Sequence, residues 1–237
     1  MRFVGAKSPD QQATMMLHRV RKILTRQRTQ ISNALRAHMA EFGITASIGR
    51  GGLERLIAVI ADQEDARLPE EARACLTVLS TQLKMIKEQI LDNDRRTLAD
   101  ARKTEAGRRL MKIPGIGPLP ASAIVACVPD PTTFSNGRSL SAWIGLTPRQ
   151  NSSGGKERLG SITKAGNTYL RELLVVGAMA VVRRAEQGST KRPWVAQLLE
   201  RKKPKVAAVA LANKNARIIW AMMATGEPYR ETALAAA

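Results

Sequence analysis

Aromatic residues are scarce: the 237-residue chain holds three Phe, three Trp and two Tyr. So few rings exclude an exposed base-stacking sheet of the RRM type, and with 44% apolar residues the predicted core is aliphatic. The two cysteines, Cys75 and Cys127, are far apart and form no CxxC pair. This argues against a disulfide framework and a zinc knuckle, and both read as core thiols in a reducing compartment. The two histidines, His18 and His38, fall in the first predicted helix, away from any serine-glycine loop, which disfavours a Ser-His-Asp hydrolase. Asp130 is the only Asp after Asp100, so the second half lacks a carboxylate pair for magnesium. Long apolar runs are also missing. The opening MRFVGAKSPD has no signal-peptide core, and the longest strongly apolar run, Leu173 to Val182, has 10 residues where a membrane span needs about 20. These absences predict a soluble, cytoplasmic protein with no membrane partner.

What is abundant is positive charge. Lys and Arg number 38 against 20 Asp and Glu, a formal net charge of +18. Residues 1–110 carry 20 basic and 13 acidic side chains, residues 111–237 carry 18 and 7, so the excess is concentrated downstream. Such a balance points to a polyanionic partner, because cations that neutralise phosphates release condensed counterions. Membrane-surface binding fits less well, since no helix couples a basic face to bulky aromatics.

The periodicity predicts a mainly α-helical chain, with residues 1–105 a helical coiled-coil segment and 106–237 a second domain. Ser8-Pro9 opens a helix that runs to Gly43, with Leu17, Val20, Leu24, Ile31 and Leu35 as its apolar stripe. A loop, Ile48-Gly49-Arg50-Gly51-Gly52, leads to a short helix from Leu53 to about Asp62. Pro69 then starts a second long helix, whose Leu76, Leu79, Leu83, Ile86 and Ile90 form a heptad seam. Two such helices imply an antiparallel hairpin, with a seam that serves either internal packing or a homo-oligomer. The tail Ala233 to Ala237 looks low in complexity.

Three motifs follow. Ile113-Pro114-Gly115-Ile116-Gly117-Pro118, preceded by Lys112 and followed by an Ala-rich helix to about Val128, has the form of a helix-hairpin-helix. Amides at the second helix's N-terminus can hold a phosphate there, although the pattern also fits a purely structural turn. Next, Arg149-Gln150-Asn151-Ser152-Ser153-Gly154-Gly155-Lys156-Glu157-Arg158 is a flexible surface turn or small hairpin. It also has what a serine needs to attack phosphorus: Gly154 and Gly155 for close approach, and Arg149, Lys156 and Arg158 to stabilise the charge that develops on oxygen. Finally, Lys164-Ala165-Gly166-Asn167 opens a helix with Leu170, Leu173, Leu174 and Ala178 on it. Asn167 or Thr163 is its cap, and Lys164 a phosphate contact. Arg201-Lys202-Lys203-Pro204-Lys205 reads as a solvated loop or an extension of the phosphate track, before a last helix from Val206 to Ala224.

In order, Ile-Pro-Gly-Ile-Gly, Ala-Trp-Ile-Gly-Leu-Thr-Pro-Arg-Gln, Ser-Ser-Gly-Gly-Lys and Lys-Ala-Gly-Asn with Leu170-Arg171 resemble the C-terminal domain of insertion-sequence transposases of the 110/116/902 type. The upstream helices resemble that family's coiled-coil segment. The resemblance implies DNA transposition and recombination through a serine-linked intermediate, with DNA and an element-encoded guide RNA as partners. It implies Ser153 as the nucleophile, with Ser152 the neighbouring alternative. It also implies an N-terminal RuvC-like domain whose acidic tetrad holds magnesium. No acidic group in this sequence matches that tetrad, since Asp10 stands alone and Glu41 lies far along the same helix. The expectation is therefore a chain without a metal or other cofactor of its own, truncated and inactive alone. The alternative is a non-catalytic helix-hairpin-helix module that binds nucleic acid or regulates transposition.

Overall fold

The computed structural model describes residues 5–156, 158–188 and 193–230; Glu157 and the Ala233–Ala237 tail lie outside them. The described chain is mainly helical, with one small two-stranded sheet. It divides into two compact units, one formed by Met16–Arg96 and the other by the rest.

In Met16–Arg96, helix α1 (Pro9–Glu41) and helix α3 (Glu70–Lys103) run antiparallel, with the shorter α2 (Arg50–Ala61) packed on them. Arg21 pairs with Asp94, and the Asn93 side chain donates to the Leu17 carbonyl at 3.2 Å. Helix α1 stops where expected: Gly43 adopts φ 73°, and the Ile44 amide closes on the Met39 carbonyl at 3.0 Å. The heptad seam holds, with Leu76, Leu83, Ile86 and Ile90 buried against Ile31, Leu35 and Met39. Leu83 has no exposed surface, so truncating it to Ala removes about 2–5 kcal/mol. The α1 stripe departs from expectation at Val20, which is 41% exposed, while His18 is buried. Cys75 is exposed and so is no core thiol; Cys127 is. Arg73 is buried and donates to the carbonyls of Val59, Ile60, Asp62, Asp65 and Leu68. It thereby satisfies the open C-terminal end of α2, work that Gly or a cap residue does elsewhere.

The second unit is centred on α7 (Thr168–Glu186) and α9 (Pro204–Thr225), with α4 (Glu105–Leu110), α5 (Pro118–Cys127), α6 (Gly137–Ile144) and α8 (Pro193–Arg201) around them. Leu170, Leu174, Ala178 and Val182 recur every four residues on α7 and are buried. They pack with Ala207, Ala208, Leu211, Ala212, Ala216 and Ile219 of α9 in the same core. Alanines on α9 let the two backbones come close. Ile219 and Met222 are buried as expected. The periodicity did not single out α8, yet Val195, Leu198 and Leu199 belong to its core face. Helix α5 is buried at Pro120, Ala121, Ser122, Ala123, Ile124, Ala126 and Cys127, the pattern of an interior helix apolar on all sides. Within this unit Asp100 accepts from Thr14 Oγ1 at 3.0 Å and Ser122 Oγ at 2.6 Å.

Candidate nucleic-acid interface on a serine hairpin

The serine-bearing segment folds as an antiparallel hairpin of β1 (Pro148–Gln150) and β2 (Leu159–Ile162). Pro148 pairs with Ile162 and Gln150 with Leu159, so β2 has one residue more and carries a bulge. Gly160 sits in that bulge, where a Cβ would lie 2.8 Å from Asn151 Nδ2. At the tip Ser153 bridges to Lys156 across Gly154 and Gly155, with φ of 57° and 76°. Positive φ at both central residues makes a type I′ turn, whose twist matches that of the paired strands and which favours glycine.

The two serines differ. Ser152 Oγ accepts from the Arg158 amide at 2.9 Å and from Gln150 Nε2 at 3.0 Å, so it holds the hairpin together. Ser153 is exposed, and no described side chain or amide bonds its hydroxyl. Arg149, Lys156 and Arg158 are exposed on the same hairpin. No atom lies within 4 Å of a Cβ built on Gly154 or Gly155, so the turn is uncrowded at both glycines.

The base of the hairpin is fixed. The Thr163 amide donates to the Thr147 carbonyl at 2.9 Å and the Lys164 amide to the Gly145 carbonyl at 3.2 Å. Lys164 adopts φ 57°, the one positive value among the described non-glycine residues, at a cost of about 1–2 kcal/mol. Two glycines interlock beneath it. A Cβ on Gly145 would fall 2.1 Å from the Ala165 carbonyl oxygen, and one on Gly166 would fall 1.8 Å from that of Trp143. Arg171 staples the same elements, donating to the carbonyls of Ile144 at 2.7 Å and Ala165 at 2.8 Å and to Thr168 Oγ1 at 3.2 Å. Asn167 caps α7, its Oδ1 accepting from the Leu170 amide at 3.0 Å. Asn213 of α9 donates to the Leu146 carbonyl at 3.1 Å.

The structure thus gathers Ser153, Arg149, Gly154, Gly155, Lys156 and Arg158 on one hairpin with Lys164 at its base. Lys112, Gly115 and Gly117 are elsewhere, in the turn between α4 and α5. Gly115 (φ 89°) abuts α7, where a Cβ on Gly177 would lie 1.9 Å from the Gly115 carbonyl oxygen. That contact is roughly 13 Å along α7 from Thr168 at 1.5 Å per residue. The close approach that its glycine permits is therefore to another backbone. Helix α5 starts Pro118-Leu119-Pro120, so of its first three residues Leu119 alone has an amide proton to offer an anion. Lys112 is exposed beside this turn.

Sequence comparison connects this geometry to known proteins. Residues 107–193, from α4 through the hairpin and α7, match the family model described as Transposase IS116/IS110/IS902 family. The protein y4pF/y4sB of Sinorhizobium fredii is 44% identical over 98% of this chain and 60% of its own length. The "Probable family 20 transposase" of Pseudomonas aeruginosa is 43% identical over 97% of this chain and 69% of its own. The transposase for insertion sequence element IS1111A of Coxiella burnetii is 39% identical over 97% and 64%.

The chain belongs to the IS110/IS116/IS902 transposase family.

It spans 60% to 69% of the length of these three relatives. Among the described residues no three or more His, Cys, Asp or Glu side chains are grouped so as to hold a metal ion. The magnesium that the family resemblance implies thus has no ligand set among them, and no step below is routed through it. No described helix is long and apolar enough to cross a membrane. Sequence reasoning quoted Arg171 within a family motif without giving it a role. It also passed over Gly177, although a glycine inside a helical run is a recognised sign of close packing.

Proposed function

We propose that this chain acts on DNA, with Ser153 as a nucleophile toward a phosphodiester. Ser153 Oγ forms a bond to phosphorus as the bond from phosphorus to O3′ breaks; the serine proton passes to water, and O3′ takes up a proton to leave as a free 3′ hydroxyl. Arg149, Lys156 and Arg158 stabilise the phosphoryl oxygens as charge builds on them, and Gly154 and Gly155 let the strand approach. The observation that carries this reading is the contrast between the serines: Ser152 Oγ is engaged by two donors, while Ser153 is exposed, its hydroxyl bonds no described residue, and it shares its hairpin with three exposed cations. The partners are DNA and an element-encoded RNA, and a second copy of the chain is recruited through the helical segment. Exposed Met16, Val20 and Ile23, spaced i, i+4, i+7 on α1, support that last contact.

The test incubates the full chain with a labelled duplex, with and without the acidic domain that the resemblance implies, and looks for a covalent protein-DNA adduct in denaturing gels. An adduct that disappears in Ser153→Ala and persists in Ser152→Ala is expected. An adduct undiminished in Ser153→Ala rejects the assignment. One observation favours a second reading, a binding module without cleavage: no described residue is placed to take the Ser153 proton. That reading predicts steeply salt-dependent binding with no strand scission.

A further inference from the structure

The unit Met16–Arg96 contains a cleft of about 670 Å³ between α1, α3 and the start of α2, within the range of roughly 300–1,000 Å³ typical of ligand sites. Five cations line it, Arg21, Arg28, Arg36, Arg50 and Lys87, against a single carboxylate, Asp94. Two are already matched: Arg21 is paired with Asp94, and Arg50 with Glu54 at 2.8 Å, the latter an exposed pair of little strength. Arg36 is engaged by carbonyls, donating to Ser47 at 3.0 Å and Gly49 at 2.8 Å. It ties the glycine loop to α1 while its charge stays uncompensated, because carbonyls do not neutralise a guanidinium. Arg28 and Lys87 also line the cleft: Glu54, bonded to Arg50, feels the charge of Lys87 as well, while among the described residues no carboxylate forms an ion pair with Arg28.

We propose that this cleft binds the phosphodiester backbone of a nucleic acid, at a second contact separate from the serine hairpin. Spacing favours an extended strand over a single anion. Arg21, Arg28 and Arg36 are seven and eight residues apart on α1, so at 1.5 Å per residue they spread over about 22 Å, far more than one phosphate can reach. Two further features suit the same ligand. Helix α2 begins at Gly49 with no side-chain cap, which leaves its first amides pointing outward and its dipole unopposed. Gly51 has neither a positive φ nor any atom within 4 Å of a built Cβ, whereas the next residue, Gly52, is buried against the Ser47 carbonyl, so the helix end is open on the Gly51 side. Ile48, fully exposed, and Leu91, 57% exposed, stand at the cleft as apolar surface for sugar or base. The site rests on this unit's own residues and does not depend on the serine chemistry.

The experiment uses the full chain carrying Ser153→Ala, so that no covalent adduct complicates binding. Fluorescent single-stranded RNA, single-stranded DNA and duplex DNA of unrelated sequence are titrated at several salt concentrations. Reversing two cations, Arg28→Glu with Lys87→Glu, is expected to weaken binding of at least one of these probes roughly tenfold and to lower its salt slope by about two, near one for each phosphate that is no longer neutralised. The charge-preserving pair Arg28→Lys with Lys87→Arg keeps most of the affinity. Circular dichroism and melting temperature verify that both variants fold, Arg28 being exposed and Lys87 half-buried, and inorganic phosphate is titrated in parallel as the small-anion probe. Unchanged affinity and slope for all three nucleic acids in the folded reversal variant overturn the proposal. So does a cleft that takes up inorganic phosphate while oligonucleotide binding ignores both residues. The probe whose affinity falls most identifies the strand type.

Discussion

Two groups of glycines with similar positive φ do opposite things in this protein. In the hairpin, Gly155 has φ 76° and no neighbour within 4 Å; beneath it, Gly166 has φ 73° and the Trp143 carbonyl oxygen 1.8 Å from where a Cβ would be. The first leaves a turn uncrowded, the second locks the end of α6 to the segment that leads into α7. The lesson is that the tip and its platform use one residue type for access and for rigidity, and only the surroundings distinguish them. A nucleophile needs both: freedom for the strand to approach, and a base fixed closely enough to aim the hydroxyl.

The sharpest test of this comparison is Gly166→Ala. Left-handed strain and overpacking together should cost about 3–4 kcal/mol, measured by urea unfolding. Removing the staple with Arg171→Ala disturbs the same platform more gently. It leaves the Ile144 and Ala165 carbonyls without their donor and should cost about 2 kcal/mol, with the adduct yield at Ser153 falling as the hairpin loses its aim. Gly155→Ala is the matched control for Gly166→Ala, since its φ is nearly the same and its space is empty; about 1–2 kcal/mol is expected. Equal costs for the two substitutions would erase the distinction between tip and platform. Asn167→Ala removes the α7 cap and should cost about 1 kcal/mol, read as a shift in the unfolding midpoint. Smallest in stability is Ser153→Ala, within about 0.5 kcal/mol of the parent, because its hydroxyl bonds nothing in the described fold; a larger effect would mean that Ser153 is a structural residue like Ser152.

Much of the fold is readable because its signals are local. The heptad of Leu76, Leu83, Ile86 and Ile90, the Gly43 stop and the Asn167 cap each involve residues within a turn or two of one another, and all appear. The Ser-Ser-Gly-Gly hairpin is local too, since the turn geometry is written in its two glycines. The readings that the structure changes depend on distant partners. Val20 reads as part of the apolar stripe, but His18 takes the inward position. Cys75 reads as a core thiol and lies outside. In the turn between α4 and α5, Gly115 reads from sequence as an approach for phosphate, whereas its close neighbour is Gly177, a partner with no signature at short range.

By itself the sequence determined the helical class, the positive charge, the order of motifs and the presence of a turn that displays a serine, since each follows from composition or from spacing along one stretch of chain. Tertiary structure decided which glycines are locked and which cations line the cleft between α1, α3 and the start of α2. Those outcomes depend on atoms brought together from remote positions, such as Arg171 on the Ile144 carbonyl and Arg36 on the loop before α2. Contacts of that kind are fixed by packing the whole core, and no short window of sequence contains both of their ends.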